Sequence, residues 1–136
     1  MLTYDCANAI LSNMITKTKD YPYQNLYVGL STTTPSRDGT GYTEPSGNGY
    51  ERVLLGVYNQ TYTQKMGTPA LGSVNNSEEI HFKAATGTWG TCTHFLLFSA
   101  ATGGKLLAYG QLTDEISPIA DTVPIIPAGD IVMGLS

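Results

Sequence analysis

The sequence predicts a mainly β protein: an antiparallel β-sandwich, jelly-roll-like, preceded by one N-terminal α-helix. Three observations lead there. From residue 25 onward, several short runs alternate apolar and polar residues with a period of two. Gly, Pro, Asn and Asp collect between those runs, where turns need them. The composition holds 9 Tyr and 15 Gly but only 13% charged residues, against roughly 25% in an average domain. Aromatic and β-branched side chains suit a pleated, half-buried surface. So little charge also fits a surface covered by neighbouring molecules. A length of 136 residues suits one domain over 1–136 with one core.

Residues 5–17 read as the helix. Cys6, Ala9, Ile10 and Met14 recur at helical spacing, Asp5 is placed as the N-cap, and Lys17 and Lys19 favour the C-terminal end of the dipole. Tyr21-Pro22 stops it. The sandwich then occupies 25–135. In NLYVGLS, Leu26, Val28 and Leu30 point one way and Tyr27, Gly29 and Ser31 the other. Residues 32–49 hold two Pro and four Gly with no aliphatic side chain, so they read as a long loop projecting from the body. Residues 50–62 form a second strand region, bent at Gly56. A second long loop covers 63–77. Residues 79–84 alternate again. HFLLFSA at 94–100 is apolar on both faces and reads as a central strand covered on both sides. Ala101 to Gly104 make a hairpin turn, and 105–113 return. Two prolines place 122–129 at an edge. Residues 130–136 supply the last strand.

The stretch TGTWGTCTHF at 86–95 raises a metal or redox question, because Cys92 and His94 stand two apart. With unbroken alternation they share a sheet face. A structural zinc needs four ligands, and no second pair of matching spacing exists, so the stretch reads as a strand start anchored by Trp89. Thr102-Gly103-Gly104-Lys105 resembles the end of a phosphate-binding loop but lacks its first glycine and its following helix. No G-x-S-x-G elbow is present. The carboxylates Asp38, Glu44, Glu51, Glu78, Glu79, Asp114 and Glu115 offer no preferred pair for glycoside hydrolysis. The expectation is therefore no enzyme, no catalytic residues, no cofactor and no metal. The net charge is −4 and the seven basic residues are scattered, so nucleic acid is not an expected partner. No run reaches the ~20 apolar residues of a membrane span. Asp5, Asn8 and Asn13 interrupt the N-terminal apolar stretch, which excludes a signal peptide and implies synthesis in a cytosol with reduced thiols.

The order of segments resembles small bacteriophage virion proteins of the tail-fibre-like or capsid-decoration kind. The matching residues are Leu26 to Leu30, Thr34-Pro35, Gly49-Tyr50-Glu51-Arg52, Trp89-Gly90, Thr93-His94-Phe95, Gly103-Gly104, Tyr109-Gly110 and Pro127-Ala128-Gly129-Asp130. The resemblance implies a structural protein located on the virion and made in the host bacterial cytoplasm. Its first form is a capsid-surface decoration (cement) protein acting by protein–protein adhesion. The partners would be the major capsid protein or tail components, and the chain itself would be a homo-oligomer, a trimer. The alternative is a tail-fibre or receptor-binding domain that takes a host-surface glycan; a glycoside-acting enzyme ranks last. Asp38, Tyr42, Tyr50 and Arg52 are the candidate subunit or partner contacts. The plainer reading of Arg52 is an ion pair with Glu51 or Glu44 on an exposed face.

Overall fold

The computed structural model describes residues 1–8, 25–57 and 73–134. Among the described residues the protein is mainly β, with antiparallel sheets and one N-terminal helix. Residues 4–8 form the described part of that helix, α1. Its cap is Thr3 rather than Asp5: the Cys6 N–H donates to Thr3 Oγ1 at 3.3 Å, and the Ala7 N–H to the Thr3 carbonyl at 2.9 Å. The hydroxyl satisfies an N–H that the first turn leaves without a partner. Asp5 lies two residues further in, 3.5 Å from Lys105. The rest of the expected helix, 9–17, lies outside the described residues.

Eight strands follow among the described residues: β1 Asn25–Ser31, β2 Val53–Val57, β3 Ser73–Asn75, β4 Ile80–His81, β5 Cys92–Phe98, β6 Leu106–Ile116, β7 Ile125–Ile126 and β8 Val132–Gly134. They make a four-stranded sheet in the order β2-β1-β5-β6 and two ribbons, β3-β8 and β4-β7. All pairs are antiparallel. β3 falls inside the segment read as the second loop, and β6 runs to Ile116, three residues beyond the expected end. Three-residue strands such as SVN are too short for alternation to show.

The alternation read from β1 and β5 sets the layers. Val28, Leu30, Phe95 and Leu97 enter one core with Ile80, Phe82, Trp89, Ile126 and Ile131, so this core lies between the sheet and the ribbons. That layering is consistent with a sandwich. On the opposite face Leu96, Phe98 and Leu106 form a smaller cluster under Tyr27, Tyr42 and Tyr109. β5 is thus internal and covered on both sides, which its unbroken apolar run requires.

Residues 1–3 extend the sheet. Leu2 bridges Ala108, the Thr3 N–H donates to the Leu107 carbonyl, and the Tyr109 N–H donates to the Met1 carbonyl, both at 2.9 Å. They lie along the edge of β6 that β5 leaves free.

The 32–49 segment does not project. Its start is tied down by Thr32 N–H to Thr43 O at 3.0 Å and by Thr33 Oγ1 to Gly41 O at 2.7 Å. Its end is held by Asn48, whose backbone sits at φ 53°. The Asn48 carbonyl accepts from the Thr86 N–H at 2.9 Å and from the Trp89 indole at 2.8 Å, and its amide reaches Thr88 O at 2.9 Å. A loop without aliphatic residues is docked here by its own polar groups instead.

Candidate contact site around Arg52

Arg52 follows the loop and precedes β2. Its guanidinium lies 3.4 Å over the Phe98 ring. Nε donates to Glu44 Oε2 at 3.0 Å and Nη2 to Glu44 Oε1 at 2.6 Å, the two-pronged geometry that a planar fork makes with a carboxylate. Nη1 donates to the carbonyls of Ala100 at 2.8 Å and Gly103 at 2.7 Å. One side chain thereby fixes the loop at Glu44, the β5–β6 hairpin at 100–103, and the cover of the smaller core. The side chains of Arg52 and Glu44 are only 7% and 19% exposed, so this is a largely buried pair and not an exposed one. Glu51 turns outward to Lys83 at 3.4 Å.

Tyr50 completes the constellation. Its hydroxyl donates to Glu44 Oε2 at 2.5 Å and accepts from the Leu30 N–H at 3.0 Å. β2 pairs with β1 only as far as Val28, so the phenol takes the place of a missing ladder carbonyl. Burial, and then the Glu44 carboxylate, push the Tyr50 hydroxyl far above the usual phenol range. The ring packs edge-on to Trp89 at 5.2 Å and stacks near Phe82 at 6.4 Å. Gly29 makes room: a Cβ there would stand 2.6 Å from the Tyr50 hydroxyl. A cavity of about 500 Å³ opens beside these groups, lined by Glu44, Pro45, Tyr50, Arg52 and the hairpin tip at 101–103.

The four sequence candidates divide. Tyr50 and Arg52 line the cavity. Tyr42 lies behind it, its ring edge-on to Phe98 at 5.3 Å. Asp38 stands apart on the exposed turn at 36–40, accepting from the Thr40 hydroxyl at 2.6 Å and the Thr40 N–H at 3.1 Å. Those bonds, the hydroxyl's first, hold its carboxyl below the ordinary value. Sequence reasoning did not single out Glu44 as the hub, nor the carbonyls of Ala100 and Gly103. The one available signal was Gly29, a side chain missing from the middle of an otherwise apolar strand.

Cys92 and His94 are separated. The β5–β6 register shifts between them, with Cys92 opposite Ile116 and His94 opposite Gln111. The irregularity breaks alternation, and Cys92 joins the main core with Phe95 and Leu97. His94 is partly exposed and bonds Thr93 Oγ1 through Nδ1 at 2.8 Å. Burial raises the Cys92 thiol to about 11 and lowers His94. Among the described residues, no group of three His, Cys, Asp or Glu is placed to hold a metal ion. Among them too, no helix is long and apolar enough to cross a membrane.

The family model described as Podophage GP4 fiber I protein gp80 matches residues 1–134. The chain belongs to this family. It is a bacteriophage fibre structural protein by family, and its place is the virion. The match bears out the resemblance read from the segment order. A search of curated proteins finds no match.

Proposed function

We propose that the protein is a non-catalytic building unit of a virion fibre, acting by adhesion to other copies and to further virion components. The family match over 1–134 carries this reading. Its description favours a fibre over capsid decoration, the form of the role expected first. The local chemistry supports adhesion. Glu44, Tyr50 and Arg52 spend their polar groups on one another and on the backbone, which favours a structural role for the cleft they line. Asp38 and the cleft between Pro45 and the hairpin tip are the proposed contact surfaces. Tyr42 and Tyr50 each pack a ring against an internal aromatic neighbour, which favours a structural role for both over sugar stacking.

Antibody labelling of intact virions, imaged by electron microscopy, tests the reading. Label on fibres supports it. Label spread over the capsid shell would replace it with decoration, and tight binding of a glycan would favour the receptor-binding alternative.

A further inference from the structure

The N-terminal segment is held as an added strand. Met1 N donates to Tyr109 O at 2.5 Å, the Tyr109 N–H returns to Met1 O at 2.9 Å, and the Thr3 N–H donates to Leu107 O at 2.9 Å. The Thr3 hydroxyl also reaches Leu107 O, at 3.2 Å. Thr3 is buried, and Leu2 packs against the main core. A latch follows: the Tyr4 N–H donates to Arg37 O at 3.0 Å, Arg37 Nε reaches Leu2 O at 3.4 Å, and its guanidinium lies 4.7 Å over the Tyr4 ring. The edge of β6 is thus a preformed acceptor for an extended segment, with main-chain bonds for affinity and pockets for alternate side chains.

The contacts themselves are the same whichever copy supplies the β6 edge. The segment stands three strand positions from β1, across β6 and β5, about 14 Å at normal spacing. Sixteen residues, 9–24, separate the described part of α1 from β1, and a fully extended stretch of that length reaches at most about 50 Å. Moving the segment to a neighbouring copy would keep every contact named above, which makes exchange inexpensive in free energy. Passed from each copy to the next, it makes a head-to-tail joint, and a head-to-tail joint whose rotation does not close gives a filament.

We propose that the β6 edge at Leu106–Tyr109 is an inter-subunit joint, filled in the assembled fibre by residues 1–4 of the next copy. This rests on the fibre reading above. Leu2 and Ala108 face each other in a pair flanked, not joined, by the two backbone bonds, and such pairs have Cα atoms about 4.5 Å apart, within disulfide range. The test is a full-length chain carrying L2C and A108C, with Cys6→Ser, oxidised at low and at high concentration. Expected is an intrachain disulfide when dilute and a ladder of disulfide-linked multimers on a non-reducing gel when concentrated. Assembly with intrachain disulfides alone overturns the exchange and leaves the fibre reading standing. A chain that stays monomeric at every concentration overturns both. An independent measurement needs no mutation. A peptide of residues 1–8, in large excess over the native protein, should shorten its assemblies several-fold by light scattering, and unchanged size overturns the joint.

Discussion

Glu44→Gln tests whether the Arg52 constellation holds the fold together. The substitution keeps shape and removes charge. Glu44 accepts three hydrogen bonds, from Arg52 Nε, Arg52 Nη2 and the Tyr50 hydroxyl. A carboxamide turns one accepting oxygen into a donor, so in either orientation it confronts an Arg52 N–H with a like group, and in one of the two it confronts the Tyr50 hydroxyl as well. Removing one partner of a buried pair costs about 3–5 kcal/mol. Two features lower that figure. Glu44 retains 19% side-chain exposure, and Arg52 keeps two carbonyls and the Phe98 face. The expected loss is about 2–3 kcal/mol, with hydrogen bonds to charge at about 1.5–3 kcal/mol each before compensation. For a chain of this size that is about 10 °C in Tm. Trp89, the sole Trp and 5% exposed, reports unfolding in urea by its emission. A cycle with Arg52→Met isolates the coupling between the pair. A loss below about 0.5 kcal/mol, the level of an exposed ion pair, refutes the reasoning.

Gly29→Ala should destabilise by about 1–3 kcal/mol, because its Cβ would stand 2.6 Å from the Tyr50 hydroxyl; a chemical melt unchanged from the parent would show that Tyr50 moves freely. Asn76→Ala should cost about 2–3 kcal/mol, since the buried amide joins Glu78 O, Pro127 O and the Ile131 N–H, and its loss takes that bond from the Ile131 N–H and Glu78 O while Pro127 O keeps the Asp130 N–H; hydrogen exchange at Ile131 should accelerate. Cys92 should resist thiol reagents that label Cys6 in the folded protein, and equal rates for both would place Cys92 at the surface. Its folded value of about 11 exceeds the ordinary 9.0, so the folded chain keeps a proton that the unfolded chain loses. Its contribution is complete below about pH 9 and is lost as pH rises to about 11, and Cys92→Val should flatten that alkaline decline in urea midpoints.

The layers were legible because alternation in LYVGL and the two-sided apolar run HFLLF are properties of the strands themselves. The ribbons were less so. β7 and β3 are two and three residues long and take their geometry from partners such as Asn76, whose backbone and amide bond to Gly129, Ile131 and Pro127. The site was half legible. Tyr50 and Arg52 stood out as large polar-tipped groups beside a loop. Their convergence on Glu44 needs the 32–49 segment to fold back, and that fold depends on Asn48 and Trp89, which are 41 positions apart. The face assigned to Cys92 failed for a similar reason. Extra residues in β6 displace the pairing, and no pattern within β5 alone reports them.

Synthesis adds a constraint of its own. Residues 1–3 are made before their partners in β6, which lie more than a hundred positions later. Contacts of such separation form slowly, and domains are made from the N-terminus at only 5–20 residues per second. For several seconds the first strand is therefore solvent-exposed with its own acceptor not yet made. On a crowded polysome, nearby chains whose β6 has just been made present that acceptor before their own segment fills it. Local concentration during translation, and not only the final fold, would then decide which molecule each N-terminus joins.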